Sequence, residues 1–306
     1  MKLATTTGDF GRYKLSYEEC IQNVYEAGFR YLDLSLYEVR DNNPLFFSDN
    51  HKENTKKLKA LADSLGCSFV QAHSPNTNNL GDNENAYSDA LFKTVRAVEI
   101  CAALGIPRLV VHAGWSNKIK TKEVWFKENK KFYKEALATA EKYGVNILCE
   151  NSTVKNMGDM YYLISGNDMR EFCEYVDHPL FHACWDTGHA NCEGNQYDEI
   201  VSIGKHLLAV HFNDNRGSGD EHIIPFMGTM NVDEVMTALI DTGFTGPLTF
   251  ECDSALRPYD YWQGDRRRFE KNKLLSNPPL ELAKEMERFM YKTGECILKA
   301  YGCFEE

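Results

Sequence analysis

Acidic and histidine side chains stand at the ends of several apolar runs in this sequence. They are His73 in "QAHSP", His112 in "VVHAG", Glu150 in "LCEN", Asp186 and His189 in "WDTGH", His211 in "VHFND" and Glu251 in "FECD". Asp220 and His222 follow shortly after one of these runs, in "GDEHIIP". Carboxylates and imidazoles bind divalent cations and transfer protons, so the pattern indicates metal or acid–base chemistry if the run ends meet in the fold.

Four of these residues form a set that suits a hard divalent cation. Successive run ends supply three carboxylates and one imidazole, from Glu150, Asp186, His211 and Glu251. Such an oxygen-rich set favours Mn, Mg or Co and leaves coordination positions open for substrate oxygens. Zinc is also compatible, because five further residues of ligand type accompany the set, namely His73, His112, His189, Asp220 and His222.

The runs that carry these residues have the pattern of parallel strands. Eight of them occur in order: "KLATTT", "FRYLDLSL", "CSFVQAHS", "IPRLVVHAG", "GVNILCEN", "LFHACWDTGH", "LLAVHFND" and "GPLTFECD". They are continuously apolar rather than alternating, as expected for parallel strands that helices cover on the outside. They recur about every 25 to 40 residues, so each interval can hold one helix.

Helix signals occupy these intervals. The first helix is predicted to begin at Ser16, where Glu19 completes a capping box, and to end at Gly28. Caps and amphipathic patterns predict further helices from Asn231 to Gly243 and over residues 51–65, 85–104 and 122–143. Strand and helix therefore alternate around a single (β/α)8 TIM barrel, with parallel strands inside an outer ring of helices.

In such a barrel the loops that follow the strands form the active-site face. A lone acid there could cap the next helix, and a lone histidine could be hydrogen-bonded at the rim. Several acids and imidazoles that converge on one barrel mouth would remain uncompensated, and a divalent cation supplies the compensation. We therefore predict that Asp186 and His189 face a metal or a metal-bound substrate.

The chain is predicted to form one domain over residues 1–306, since no linker or low-complexity tract divides it. One irregular segment precedes the last helix, a polar and aromatic insertion at about 254–279. It is too long for an ordinary connection, so we expect a lid or a subunit contact in a homo-oligomer.

Composition bears on partners and location. With 45 acidic and 34 basic residues, the formal charge of -11 disfavours nucleic acid as a partner. The sequence shows no signal-peptide pattern and no run of the roughly 20 apolar residues that span a bilayer, so a cytoplasmic protein with no membrane partner is expected. The ten cysteines form no CxxC pair and are typical of reduced packing residues.

Four motifs, "CENS", "WDTGHA", "HFNDNRGSGDEHIIPFMGTMN" and "PLTFECD", together resemble the xylose-isomerase-like barrels. That family includes sugar isomerases, sugar 3-epimerases and endonuclease IV enzymes, and the resemblance covers nearly the whole chain. In the epimerases two glutamates flank the substrate and also hold the metal, and Glu150 and Glu251 match them. The resemblance implies that one removes a proton beside the carbonyl of a small keto sugar or related polyol and that the other returns a proton from the opposite face. His189 and Arg216 would then orient the substrate.

The same resemblance leaves a second chemistry open. All nine acids and histidines of the opening pattern correspond in order and type to the ligands of endonuclease IV, whose trinuclear zinc site hydrolyses phosphodiesters. A duplex-DNA enzyme needs lysines and arginines around its mouth, yet the predicted loops "SPNTNNLGDNENAYSDALF" and "TGHANCEGNQYDEI" contain neither. The sequence therefore favours a metal-dependent isomerase or epimerase over the hydrolase. Trp115 is a candidate for stacking on the sugar.

Overall fold

The computed structural model describes residues 1–13, 15–36, 46–252 and 278–305. Eight parallel strands close into a barrel in sequence order, each paired with its neighbours and the last paired with the first. The strands are Leu3–Thr6 (β1), Tyr31–Ser35 (β2), Ser68–His73 (β3), Arg108–Val110 (β4), Asn146–Glu150 (β5), Phe181–Asp186 (β6), Leu207–Phe212 (β7) and Leu248–Phe250 (β8). The predicted TIM barrel is confirmed, and every predicted run contains one strand.

Helices cover the outside of the barrel. They are Tyr17–Ala27 (α1), His51–Ser64 (α2), Ala86–Leu104 (α3), Lys122–Tyr143 (α4), Val154–Met157 (α5), Gly166–Val176 (α6), Thr187–Asn191 (α7), Tyr197–Ile203 (α8), Val232–Asp241 (α9) and Leu280–Ala300 (α10). Short 3-10 helices lie at Thr7–Tyr13, Gly158–Met160 and Gly204–His206. Among the described residues, no helix combines the length and apolar character needed to cross a bilayer.

The predicted caps set the helix ends. Ser16 accepts a hydrogen bond from the Glu19 amide, and the Glu19 carboxylate accepts one from the Ser16 amide, so the capping box of α1 is complete. Asn231 caps α9 by accepting from the Glu234 amide. The Glu234 carboxylate instead accepts from the backbone of Gln196 and so ties α9 to the start of α8.

The core has two layers that meet at the sheet. The large layer between sheet and helices contains Trp125, Tyr133, Phe172 and Phe250, all buried. The small layer consists of Val110, Leu148, Cys184 and Ala209.

The ten cysteines are free, and seven of them are buried, as their apolar surroundings predict. Of the predicted insertion at about 254–279, residues 254–277 lie outside the described part of the chain, so its role as a lid or subunit contact stays a prediction.

Candidate metal centre

The candidate ligands point into the barrel because alternate residues of a strand lie on the same face. A small buried cluster inside the barrel is formed by one residue from each of four neighbouring strands, Val110, Leu148, Cys184 and Ala209. Side chains two residues apart in a strand share a face. The residues two positions further along the chain are Glu150, Asp186 and His211, which end or lie near the end of their strands, and His112, which lies just beyond β4. The apolar cluster is therefore the floor on which these four ligand-type residues stand.

The predicted four-residue set is brought together at the barrel mouth. The ligand atoms of Glu150, Asp186, His211 and Glu251 all lie within 4.8 Å of one another. His211 Nδ1 lies 2.9 Å from Glu150 Oε1 and 3.4 Å from Glu251 Oε2. The Glu251 side chain is 21% exposed, whereas those of Glu150 and His211 are buried, so the set opens toward solvent at Glu251.

Asp186 is held rigidly because it also caps α7. Its Oδ1 accepts from the His189 amide at 2.6 Å, and its Oδ2 accepts from Asn213 Nδ2 at 2.6 Å. The Asp186 amide donates to Asn151 Oδ1. Gly188 permits this packing, because an added Cβ there would lie 1.8 Å from Asn213 Oδ1. The run "WDTGH" thus needs glycine at its fourth position for close approach.

The five further ligand-type residues form two clusters beside the set. His73 Nε2 lies 3.1 Å from His112 Nε2, and both nitrogens lie 3.4 Å from Glu150 Oε2. On the other side, Asp220 lies 3.3 Å from His189 Nε2 and 2.9 Å from His222 Nε2. The structure therefore brings all nine predicted acids and histidines to one mouth.

Backbone carbonyls fix the orientation of three of these histidines. His73 Nδ1 faces the carbonyl of Ser74, His189 Nδ1 that of Asn151, and His222 Nδ1 that of Glu251, each at 2.9 Å. A ring nitrogen that faces a carbonyl carries the hydrogen, so Nε2 keeps its lone pair in the neutral ring. Histidines that bind metals are held in this way.

His222 also has a strained backbone, with φ of 48° in the left-handed region. The loop that carries it is organised by Asp214, whose carboxylate accepts from the amides of Gly228 and Met230 at 2.9 Å. Asp214 and Ile223 further exchange two backbone hydrogen bonds. The long motif after β7 is therefore a folded support for Asp220 and His222.

The pKa values of Glu150 and Glu251 shift in opposite directions from the ordinary glutamate value. Burial opposes ionisation of Glu150, yet His211 and His112 hold its pKa well below its usual range. Burial raises the pKa of Glu251 to about 7, although His211 and His222 act against the rise. Burial also lowers the pKa of His112 to about 3.

Two buried atoms of this nine-residue cluster, Glu150 Oε2 and His211 Nε2, are among the described atoms that have no hydrogen-bond partner. Buried polar atoms are normally satisfied, and a carboxylate oxygen between imidazole nitrogens is the donor chemistry of a divalent cation site. The residues present therefore fit a bound cation.

Arg216 and Trp115, the other predicted substrate contacts, have partners outside the cluster of nine acids and histidines. Arg216 forms an ion pair with Glu221, and its side chain is 58% exposed. The Trp115 backbone bonds to the side-chain amide of Asn78, while its ring packs partly buried against the core. Contact of either residue with a sugar stays a prediction.

Sequence reasoning missed several supporting residues. Asn151 and Asn213 hold Asp186, and the signal for them was the run of amides after β5 and β7 in "CENS" and "HFNDN". Asp33 lies inside the barrel with Oδ2 at 3.7 Å from His211 Nε2. Its signal was a lone acid within the apolar run "YLDLS".

Proteins with similar sequences include a sugar-derivative epimerase and proteins described as uncharacterized. An uncharacterized protein of Methanocaldococcus jannaschii is 29% identical over 209 residues, which cover 65% of this chain and 69% of the relative. A fructoselysine 3-epimerase of Shigella flexneri is 23% identical over 260 residues, covering 80% of this chain and 89% of the relative. The chain spans only 50% of the length of an uncharacterized relative from Sinorhizobium fredii, with 25% identity.

Solved structures share the fold. A D-psicose 3-epimerase from Clostridium cellulolyticum H10, solved with D-tagatose, superimposes with a TM-score of 0.75 at 17% identity, covering 97% of this chain and 99% of that one. The family model described as xylose isomerase-like TIM barrel matches residues 21–286. This chain therefore belongs to the xylose isomerase-like TIM barrel family.

Proposed function

We propose that this protein is a divalent-metal-dependent sugar isomerase or epimerase that acts on a small keto sugar or related polyol. The observation that carries the proposal is the position of Glu150 and Glu251, which both lie against His211 Nδ1 at the barrel mouth. The similarity to a fructoselysine 3-epimerase in sequence and to a D-psicose 3-epimerase in fold supports it.

Four residues would hold the cation, Glu150, Asp186, His211 and Glu251, with Mn, Co, Mg or Zn as the candidate ion. When bound, the cation would polarise the substrate carbonyl and make the neighbouring carbon more acidic. The hydrogen bonds that fix Asp186 would keep its carboxylate in place while substrate enters. His189, which lies beside Asp220, and Arg216, which pairs with Glu221 in the loop after β7, would orient the substrate.

Glu150 and Glu251 would exchange protons with the carbon beside the carbonyl. Both side chains contact His211 Nδ1, so they stand together at the position where a substrate held by the cation would lie. Glu150 is buried, whereas Glu251 is 21% exposed and can exchange a proton with solvent. One would remove a proton and the other would return one, and in the reverse direction the two would exchange roles.

Turnover of sugars by metal-loaded protein tests this proposal. Protein stripped with a chelator is reloaded with Mn, Co, Mg or Zn and incubated with a panel of ketoses and aldoses, and products are separated by chromatography. We expect metal-dependent conversion of at least one ketose, and near-complete loss in Glu150→Gln and Glu251→Gln. Glu193→Gln is the matched control, because Glu193 accepts hydrogen bonds from Thr153 and Val154 and belongs to none of the candidate ligand groups formed by the described residues.

A second candidate function is supported by the two side clusters. His73 and His112 meet Glu150, and His189 and His222 meet Asp220, which is the distribution a multinuclear zinc hydrolase would need. The described segments that follow β3 and β6, residues 74–85 and 187–196, contain no lysine or arginine to bind phosphates. We expect abasic duplex DNA to remain uncut at catalytic protein concentrations. Incision that Glu150→Gln abolishes would favour the hydrolase instead.

A further inference from the structure

Asp33 is a buried carboxylate beneath the candidate metal centre. It lies in β2, is 1% exposed, and pairs in register with Gln71 of β3. Gln71 Nε2 lies 3.4 Å from Asp33 Oδ2. Gln71 and Thr249 precede His73 and Glu251 by two residues, so they share the inward faces of their strands. Asp33 thus stands in the barrel interior, one layer below the ligand set.

His211 is oriented differently from its three carbonyl-bonded neighbours. The Nδ1 atoms of His73, His189 and His222 face backbone carbonyls. His211 instead turns Nδ1 toward Glu150 and Glu251, and its Nε2 toward the interior, where no backbone carbonyl meets it. Among the described carboxylates, only Asp33 lies within ion-pair distance of Nε2.

We propose that Asp33 is a positioning residue that holds the ring hydrogen of His211 on Nε2 and so leaves the Nδ1 lone pair to the cation. This inference rests on the metal centre of the proposed function. A ligating histidine is neutral and protonated on its other nitrogen, and a carboxylate partner on that nitrogen fixes the tautomer and strengthens the ligand.

The geometry needs only a small adjustment. The separation of 3.7 Å between His211 Nε2 and Asp33 Oδ2 exceeds a hydrogen bond. Closing it to an ordinary 2.9 Å takes about 0.8 Å of movement, which a small rotation of the two side chains can supply. The Cys184 thiol also interacts with His211, but sulfur is a weak acceptor beside a carboxylate.

Cobalt affinity tests the inference without relying on activity. Stripped protein is titrated with Co²⁺ in competition with a chromophoric chelator, for wild type, Asp33→Asn and Asp33→Ala. We expect affinity to fall about 10- to 100-fold in both variants, the usual loss when an outer partner of a ligand is removed. Thr249→Val is the matched control, because Thr249 lies in register with His211 on the neighbouring strand β8 while its buried Oγ1 has no hydrogen-bond partner, and we expect its affinity within about twofold of wild type.

Histidine NMR on the wild type and on Asp33→Ala gives a readout that a purely structural role would not move. The His211 Nε2 hydrogen should exchange slowly in the wild type and faster in Asp33→Ala, and equal exchange in the two proteins would count against the inference. The nine histidines are labelled with ¹⁵N, the protein is loaded with Zn²⁺, and the His211 signal is assigned with His211→Asn. We expect a slowly exchanging hydrogen on Nε2 and none on Nδ1. A His211 ring protonated on Nδ1 in the loaded protein would overturn the inference.

The outcomes separate this inference from the proposed function. Wild-type affinity in both Asp33 variants, or an equal loss in Thr249→Val, overturns the role of Asp33 alone. Weakened Co²⁺ binding in the Asp33 variants together with no turnover of any sugar supports Asp33 and counts against the proposed function. No Co²⁺ binding by the wild type overturns both.

Discussion

Replacing Asp186 with Asn should weaken divalent-metal binding at least tenfold. The substitution keeps the shape of the side chain but removes one of three carboxylate charges from the four-residue set. In the wild type, Asp186 Oδ1 accepts from the His189 amide and Oδ2 accepts from Asn213 Nδ2, each at 2.6 Å. In the variant one of these two oxygens becomes an NH2 group, which faces a donor and cannot accept. At least one of these hydrogen bonds is lost, at a cost of about 1–3 kcal/mol for the buried donor left without an acceptor.

The two effects can be measured separately. Calorimetric titration with Mn²⁺ should show a loss of at least about 1.4 kcal/mol of binding free energy, which is a factor of ten. Thermal unfolding of the metal-free variant should show the structural cost of the lost hydrogen bond by itself. Glu193→Gln removes the same charge from the mouth without touching a ligand group and should bind Mn²⁺ as wild type does. Undiminished Mn²⁺ affinity in Asp186→Asn would refute the four-residue site.

Two further predictions concern packing and a buried acid. Gly188→Ala should lower the free energy of unfolding by about 1–3 kcal/mol, because the new Cβ would lie 1.8 Å from Asn213 Oδ1. Gly219→Ala is the control, because a Cβ there meets nothing within 4 Å, and denaturant titration should give it the same midpoint as the wild type. Burial and the facing carboxyl of Asp9 raise the pKa of Glu287 well above its usual value. The folded protein therefore retains a proton that the unfolded chain releases above its pKa of about 4.5. The free energy of unfolding should then fall as pH rises from the unfolded pKa toward the folded one, by up to about 1.4 kcal/mol per pH unit. Glu287→Gln should remove this loss, so its unfolding free energy relative to wild type should increase between about pH 5 and pH 8; an equal difference at both pH values would contradict the assignment.

The barrel and the meeting of its candidate ligands could be predicted because their signals are local. Each strand is a short apolar run, each helix carries its own caps, and parallel strands place their carboxyl ends at one mouth. Glu150, Asp186, His211 and Glu251 therefore meet without any knowledge of distances. The same rule brought the histidines of the side clusters to this face.

The supporting contacts could not be predicted, because they depend on how distant strands meet across the closed barrel. Asp33 and His211 belong to β2 and β7, which do not pair, and their contact follows from strand tilt and side-chain length. The hydrogen bond between Asn213 and Asp186 depends on the close approach at Gly188. The pairing of Arg216 with Glu221 depends on the path of the loop after β7.

Solvent labelling during turnover tests the proposed two-glutamate mechanism most directly. A ketose converted in heavy water by protein loaded with Mn²⁺ or Co²⁺ is recovered and examined by NMR. If Glu150 and Glu251 transfer protons, the carbon beside the carbonyl should acquire deuterium, because a carboxylic acid exchanges its proton with solvent between steps. Product that forms without deuterium at that carbon would indicate a hydride shift and would contradict the proposed mechanism.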